Sequence, residues 1–216
     1  MMATISKSVF IANSKLFIDG NLVLQGESPI FVKFLKEVYK FAQIKYPKYY
    51  KMDALSKLGF VASEVLLQDQ NIEEQAERVG IVLGNRASTF LVDTKHQETI
   101  NDKENYFPSP ANFVYTLPNV MTGEICIRNG FKGENAVFIM EKFGAKFLTD
   151  YLTTIYKADK ADVMIGGFVD ADEESYEAFL FLTNKKDDLR ADEIEHLYRE
   201  MNKNSHQDTK AQGNTK

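Results

Sequence analysis

The chain has 216 residues and a net charge of −5 at pH 7, with 44% hydrophobic and 26% charged residues. That balance is the one found in globular proteins large enough to bury a core of their own. The acidic charge and the lack of a long basic run exclude nucleic acid as the expected partner. Cys126 is the single cysteine, so an internal disulfide is excluded, and no Cys/His group has metal-ligand spacing. No motif calls for a cofactor. No apolar run reaches the roughly 18 residues of a membrane span. The segment MMATISKSVFIANSK has neither a long apolar core nor a small-residue cleavage site, so a cytoplasmic location is expected.

Residues 8–25 alternate apolar and polar around Asp19-Gly20. KLFIDGNLVL reads as a β-hairpin because Asp-Gly tolerates the positive φ angles of a tight turn. Residues 30–44 place Phe31, Phe34, Leu35, Val38 and Phe41 at helical spacing. Residues 52–67 repeat that pattern with Met52, Leu55, Leu58, Ala62, Val65 and Leu66, and Pro47 separates the two helices. RVGIVLGN (78–85) is an apolar run closed by Gly and Asn, as expected of a buried strand, and a helix is expected over 87–99. The polar stretch 101–112, with Pro108 and Pro110, predicts a loop. Pro118 opens a predicted helix and Gly130 stops it. NAVFIM (135–140) reads as a strand, and 141–157 as a helix with Phe143, Phe147, Leu148, Tyr151, Leu152 and Ile155 on one face. ADVMIGG (161–167) and YEAFLFLT (176–183) read as two further strands, and 189–202 as an amphipathic helix. This alternation predicts one α/β domain over 1–202. The polar tail 203–216 has no apolar anchor and is expected to be disordered.

Three segments stand out together. YPKYYKMDALSKLGFVASEVLL runs into RVGIVLGNRAST, a helix followed by a strand that opens onto a small-residue turn. FPSPANFVYTLPNVMTGEICIRNGFKGENAVF carries a Pro-Asn, a helix with glycine, the turn Gly130-Phe131-Lys132-Gly133 and a strand. KADVMIGGFVD is a strand containing Gly166-Gly167. In this order and spacing, over residues from about 45 to 183, the chain resembles the N-terminal half of the β-ketoacyl-(acyl carrier protein) synthases. The resemblance implies an α/β chain that is half of a thiolase-like fold, a mixed five-stranded sheet with helices on both faces.

The departures from that family bear most on function. In the family, the strand after the Gly-Lys-Gly turn ends at a cysteine whose thiolate attacks the acyl thioester. Counting forward from Gly133 puts that position at Lys142, and counting back from Gly166 puts it at Glu141; neither is a nucleophile. The family's two active-site histidines lie in a second half of the fold, and His96, His196 and His206 match none of their motifs. The resemblance therefore implies a non-catalytic, chain-length-factor-like subunit with no catalytic residue of its own. A complete ketosynthase partner would supply the chemistry and extend an acyl or polyene chain in fatty acid, polyketide or aryl polyene synthesis. The acyl carrier protein would be engaged indirectly, because the chain is itself acidic. Phe113, Tyr115, Met121, Val137 and Phe138 would border the substrate tunnel or the subunit interface, with ordinary core packing as the alternative for each. A lone half would also expose an apolar patch that its twin normally covers. NAVFI has no charge, proline or bulge to protect an open edge, which puts this strand in an interface with a ketosynthase or in a homodimer.

Two other functions fit the same sequence. One is an active 3-oxoacyl-ACP synthase or acyltransferase using Cys126, although a free cysteine is usually a small buried hydrophobe. The other is a homodimeric module that binds acyl chains or a carrier protein. Glu141 also reads as an ordinary acid in a first helical turn, and Gly166-Gly167 as a strand under close backbone approach.

Overall fold

The computed structural model describes residues 5–104, 106–172 and 175–207. The chain opens with a meander of β1 (Lys7–Ala12), β2 (Lys15–Ile18) and β3 (Asn21–Gln25). Both connections use residues that accept positive φ: Asn13 (50°) and Ser14 (55°), then Asp19 (49°) and Gly20 (78°). Two successive positive φ angles match the right-handed twist of paired strands. Asp19 also accepts a hydrogen bond from the Ser8 N–H at 2.7 Å, which ties the second turn to β1.

The remaining elements follow as α1 (Phe31–Phe41), α2 (Ala54–Leu67), β4 (Val79–Asn85), α3 (Phe90–Glu98), α4 (Pro110–Val114), α5 (Val120–Asn129), β5 (Asn135–Ile139), α6 (Ala145–Lys157), β6 (Val163–Ala171), β7 (Tyr176–Asn184) and α7 (Ala191–Ser205). The strands make one sheet of order β3-β2-β1-β7-β6-β4-β5. β4 lies parallel to β5 and β6, and β7 lies antiparallel to β1 and β6. The sheet is mixed, as expected, but it has seven strands rather than five. The Asp19-Gly20 hairpin is hydrogen-bonded onto β1 and adds β2 and β3 at that edge.

Period-two alternation sends each strand's side chains to two cores. Ile81, Leu83, Ile165 and Leu180 meet Leu58, Val65 and Ile125 from α2 and α5 on one face. Val82, Phe168, Phe179 and Phe181 meet Leu148, Leu152, Ile194 and Met201 from α6 and α7 on the other. Each such buried Leu or Phe contributes about 1.5–3 kcal/mol relative to exposure. The central strands β4 and β6 are buried along their whole length, which is why they read as continuous apolar runs.

α3 starts at Phe90 rather than at residue 87 and α5 at Val120 rather than at Pro118, and four further boundaries differ from the sequence expectation for a visible reason. α2 starts at Ala54 because Asp53 caps it, accepting from the N–H groups of Leu55 (3.2 Å) and Ser56 (3.1 Å). The expected loop over 101–112 ends in α4, whose Ser109 cap accepts from the Asn112 N–H at 3.2 Å and whose first residue is Pro110. α6 starts at Ala145, after Gly144, so Glu141 and Lys142 precede the helix. α7 continues past residue 202 to Ser205, which is buried and accepts from Asn13 Nδ2 at 3.0 Å. Lys15 also donates to the carbonyls of Asn204 (3.2 Å) and Gln207. The rest of the expected tail, 208–216, lies outside the described residues.

Candidate functional site

The parallel strands β4, β5 and β6 end on the same side of the sheet, where open α/β folds bind ligands. A cleft of about 240 Å³ lies there, lined by Arg86 after β4, Glu141 and Lys142 after β5, and Phe168 and Asp170 on β6. Tyr176, Glu177 and His206 complete much of its wall. Both positions reached by counting to the family nucleophile therefore open into one cleft, and both side chains are exposed.

Arg86, Asp170 and Glu177 are engaged in holding the cleft's walls. Asp170 is buried and accepts from the N–H groups of Arg86 (3.0 Å) and Ala87 (2.8 Å). It also accepts from Arg86 Nε at 3.0 Å, and Arg86 reaches on to Asp172 at 2.5 Å. This network fixes the turn between β4 and α3. Glu177 accepts from Tyr198 Oη at 3.1 Å and Asn202 Nδ2 at 3.2 Å, while burial pushes its carboxyl above the ordinary range. Ser175 is the one serine lining the cleft among the described residues, and its hydroxyl donates to Asp172 at 3.1 Å rather than to a base.

Cys126 lies on α5, outside the cleft lining, and is half-buried. Its Sγ stands 3.2 Å from Asn135 Nδ2. Burial pushes the thiol up, which disfavours the thiolate that nucleophilic attack requires. His96 sits on α3 with its ring 5.5 Å from that of Phe113, and His196 is exposed on α7 beside Glu200 at 3.7 Å. Among the described residues, no group of three His, Cys, Asp or Glu side chains could hold a metal ion.

The residues expected at a tunnel or interface occupy different environments. Met121 is buried in the core beneath Gly59, where an added Cβ would come within 2.4 Å of its sulfur. Tyr115 is also buried; it donates to Glu124 at 3.3 Å, and burial pushes its hydroxyl up to about 12. Phe113 is 61% exposed on α4. Val137 and Phe138 are half-buried on β5, with Phe138 edge-on to Phe147 (4.8 Å) and Tyr151 (5.0 Å). β5 is the outermost strand, paired on one side with β4 and open on the other.

Two surface features escape a reading of local sequence pattern. Large exposed apolar side chains concentrate between residues 90 and 147, among them Phe90, Phe107, Phe113, Leu117, Ile127 and Ile139. The outer faces of α6 and α7 are instead polar, with Lys146, Asp150, Thr154 and Lys157 exposed on one and Asp192, His196 and Glu200 on the other. Phe147 is the one large apolar side chain exposed on α6 among the described residues, and none is exposed on α7. Second, residues 31–57 hold seven lysines against two carboxylates. Aromatic residues interrupt them, so no contiguous basic run marks the segment.

The family model for the β-ketoacyl synthase N-terminal domain matches residues 32–138. No curated protein sequence matches the chain. Among solved structures, the ishigamide ketosynthase/chain length factor superposes with a TM-score of 0.61 at 15% identity, covering 84% of this chain and 62% of that one. The ketosynthase ApeO in complex with its chain length factor ApeC, from Xenorhabdus doucetiae, matches with a TM-score of 0.61 at 12% identity. That match covers 93% of this chain and 92% of the other. AntDE:AntF, a type II polyketide synthase acyl-carrier protein in complex with its ketosynthase bound to the hexaketide, matches with a TM-score of 0.60 at 16% identity, covering 86% and 64%. The fold is that of the thiolase-like ketosynthases, and residues 32–138 correspond to their N-terminal domain. The chain spans less than two thirds of the ishigamide and AntDE:AntF chains it matches.

Proposed function

We propose that this protein is a non-catalytic, chain-length-factor-like subunit that pairs with a complete ketosynthase through the open edge of β5. The observation that carries this is the cleft: the positions counted for the family nucleophile are Glu141 and Lys142, and Asp170 beside them is already saturated with donors. The partner supplies the nucleophile and the decarboxylation histidines. It extends an acyl or polyene chain on an acyl carrier protein, and this chain borders the tunnel and limits product length. A cytoplasmic setting fits that role.

The choice of edge rests on the two ends of the sheet. β3 carries a register shift where it pairs with β2, between Leu16 and Phe17, and such irregularity protects an edge from further pairing. β5 pairs with β4 in unbroken register from Asn135 to Ile139 and offers its other side free. Ile139, the last residue of that strand, is exposed and supplies apolar area for a partner. Without a ketosynthase, two copies of this chain pair along the same edge. An acyltransferase acting through Cys126 is disfavoured by the raised thiol and by the amide, rather than a base, beside its sulfur.

The experiment is carbon dioxide release from malonyl-carrier protein, with and without an acyl primer, by the purified chain. No turnover is expected, nor any rescue by Lys142→Cys. Robust condensation by the chain alone would refute the proposal.

A further inference from the structure

A second cavity, of about 290 Å³, lies between α1, the start of α2, α3 and α4. Its walls include Leu35, Met52 and Val92, all buried, together with Phe31 and Leu91. Lys51, Lys57 and Lys95 also line it, with Asp53 as the single carboxylate among the lining residues. Asp53 is committed to capping α2, and no carboxylate among the described residues lies within salt-bridge distance of these lysines. Lys57 is held below its ordinary pKa, first by burial and then by the neighbouring charges of Lys36 and Lys95, against a partial offset from Asp53. With three lysines against one carboxylate, the cavity carries net positive charge beside an apolar wall, in a protein that is acidic as a whole. An inorganic anion would leave the apolar wall unused, and a neutral apolar ligand would leave the ammonium groups unpaired.

We infer that this cavity binds a small organic anion with an apolar body, of the medium-chain carboxylate class. The apolar body lies on Leu35, Met52 and Val92, and the carboxylate is held among Lys51, Lys57 and Lys95. The volume falls just below the roughly 300–1,000 Å³ of drug-sized ligand sites, which limits the ligand to a single short chain. The inference does not rest on the ketosynthase-partner role and stands if that role fails.

The test is calorimetric titration of the full chain with octanoate, with 1-octanol as the neutral counterpart and with inorganic phosphate. Saturable octanoate binding is expected, with octanol and phosphate each at least about tenfold weaker, since each makes half of the contacts. Lys57→Gln/Lys95→Gln should weaken octanoate about tenfold. The unliganded melting temperature should hold or rise, because burial already disfavours the Lys57 charge. Lys95→Glu, at an exposed position on α3, gives the same loss without touching the core. Lys160→Gln, outside the cavity lining, should bind as the parent does. No octanoate binding, equal binding of octanol, or undiminished binding by Lys95→Glu would overturn the inference.

Discussion

Alanine at Gly167 and alanine at Gly123 should move stability in opposite directions. Gly167 faces Leu180 across the antiparallel β6–β7 pair, inside the sheet. A Cβ on Gly167 would stand 2.1 Å from the Phe179 carbonyl oxygen and 2.8 Å from Leu180 Cδ2. The nearer neighbour is backbone of the paired strand, so relief requires β6 and β7 to separate locally. That sacrifices ladder hydrogen bonds of about 1 kcal/mol each, added to about 1–3 kcal/mol of overpacking. A loss of about 3–5 kcal/mol corresponds to roughly 10 °C in Tm for a chain of this size. Gly123 lies within α5, and nothing lies within 4 Å of an added Cβ. Alanine there restricts the unfolded chain and suits the helix, so a gain of about 0.4–1 kcal/mol is expected. Thermal and urea denaturation followed by far-ultraviolet circular dichroism measures both. A Gly167→Ala protein that melts with the parent would refute the close approach of the strands, and a Gly123→Ala protein that melts lower would refute the open helical position.

Burial raises the Glu177 carboxyl above its unfolded value, so the folded chain holds that proton more tightly and loses stability as pH rises through the carboxylate range. Glu177→Gln should therefore raise Tm at neutral pH, with the gap closing below about pH 4; a gap independent of pH would contradict this. Truncation from Lys203 removes buried Ser205 and the carbonyls that Lys15 donates to, at about 1.5–3 kcal/mol for the charged group alone. An unchanged melting curve for that truncation would show that the end of α7 is not an anchor. Cys126 should react with iodoacetamide more slowly than a free model thiol at neutral pH, since burial disfavours its thiolate; equal rates would contradict the burial.

Periodicity makes most of the elements legible. Asp19-Gly20 marks its turn, the unbroken apolar runs of β4 and β6 mark strands buried on both faces, and Gly130 ends α5 in the left-handed conformation at φ 71°. The misplaced boundaries have nonlocal causes. Phe143 and Phe147 are spaced as in a helix, but Phe143 reaches the core from the loop before α6, with its ring 4.5 Å from Tyr198 and 5.1 Å from Phe179. The strand count depends on the hairpin docking onto β1, which no local pattern encodes. Ser205 is held by Asn13, far away in sequence, so the end of α7 carries no apolar signal. At the cleft, both counted positions line one wall, because Glu141 and Lys142 follow the same strand. The donors that saturate Asp170 come from residues 85–87, and only the fold brings them together.

The most direct test of the partner-subunit proposal is the solution mass of the chain by multi-angle light scattering, with Ile139→Lys and Val137→Lys beside the parent. Ile139 is 57% exposed in the isolated chain, so lysine there should leave the monomer fold intact. In a β5-edge dimer either lysine buries an unpaired charge, at about 3–5 kcal/mol, enough to shift association by more than a hundredfold. The expected result is a dimer for the parent and a monomer for both variants, with unchanged circular dichroism. Variants that keep the dimer mass and the native spectrum would place the interface elsewhere and contradict the pairing through β5.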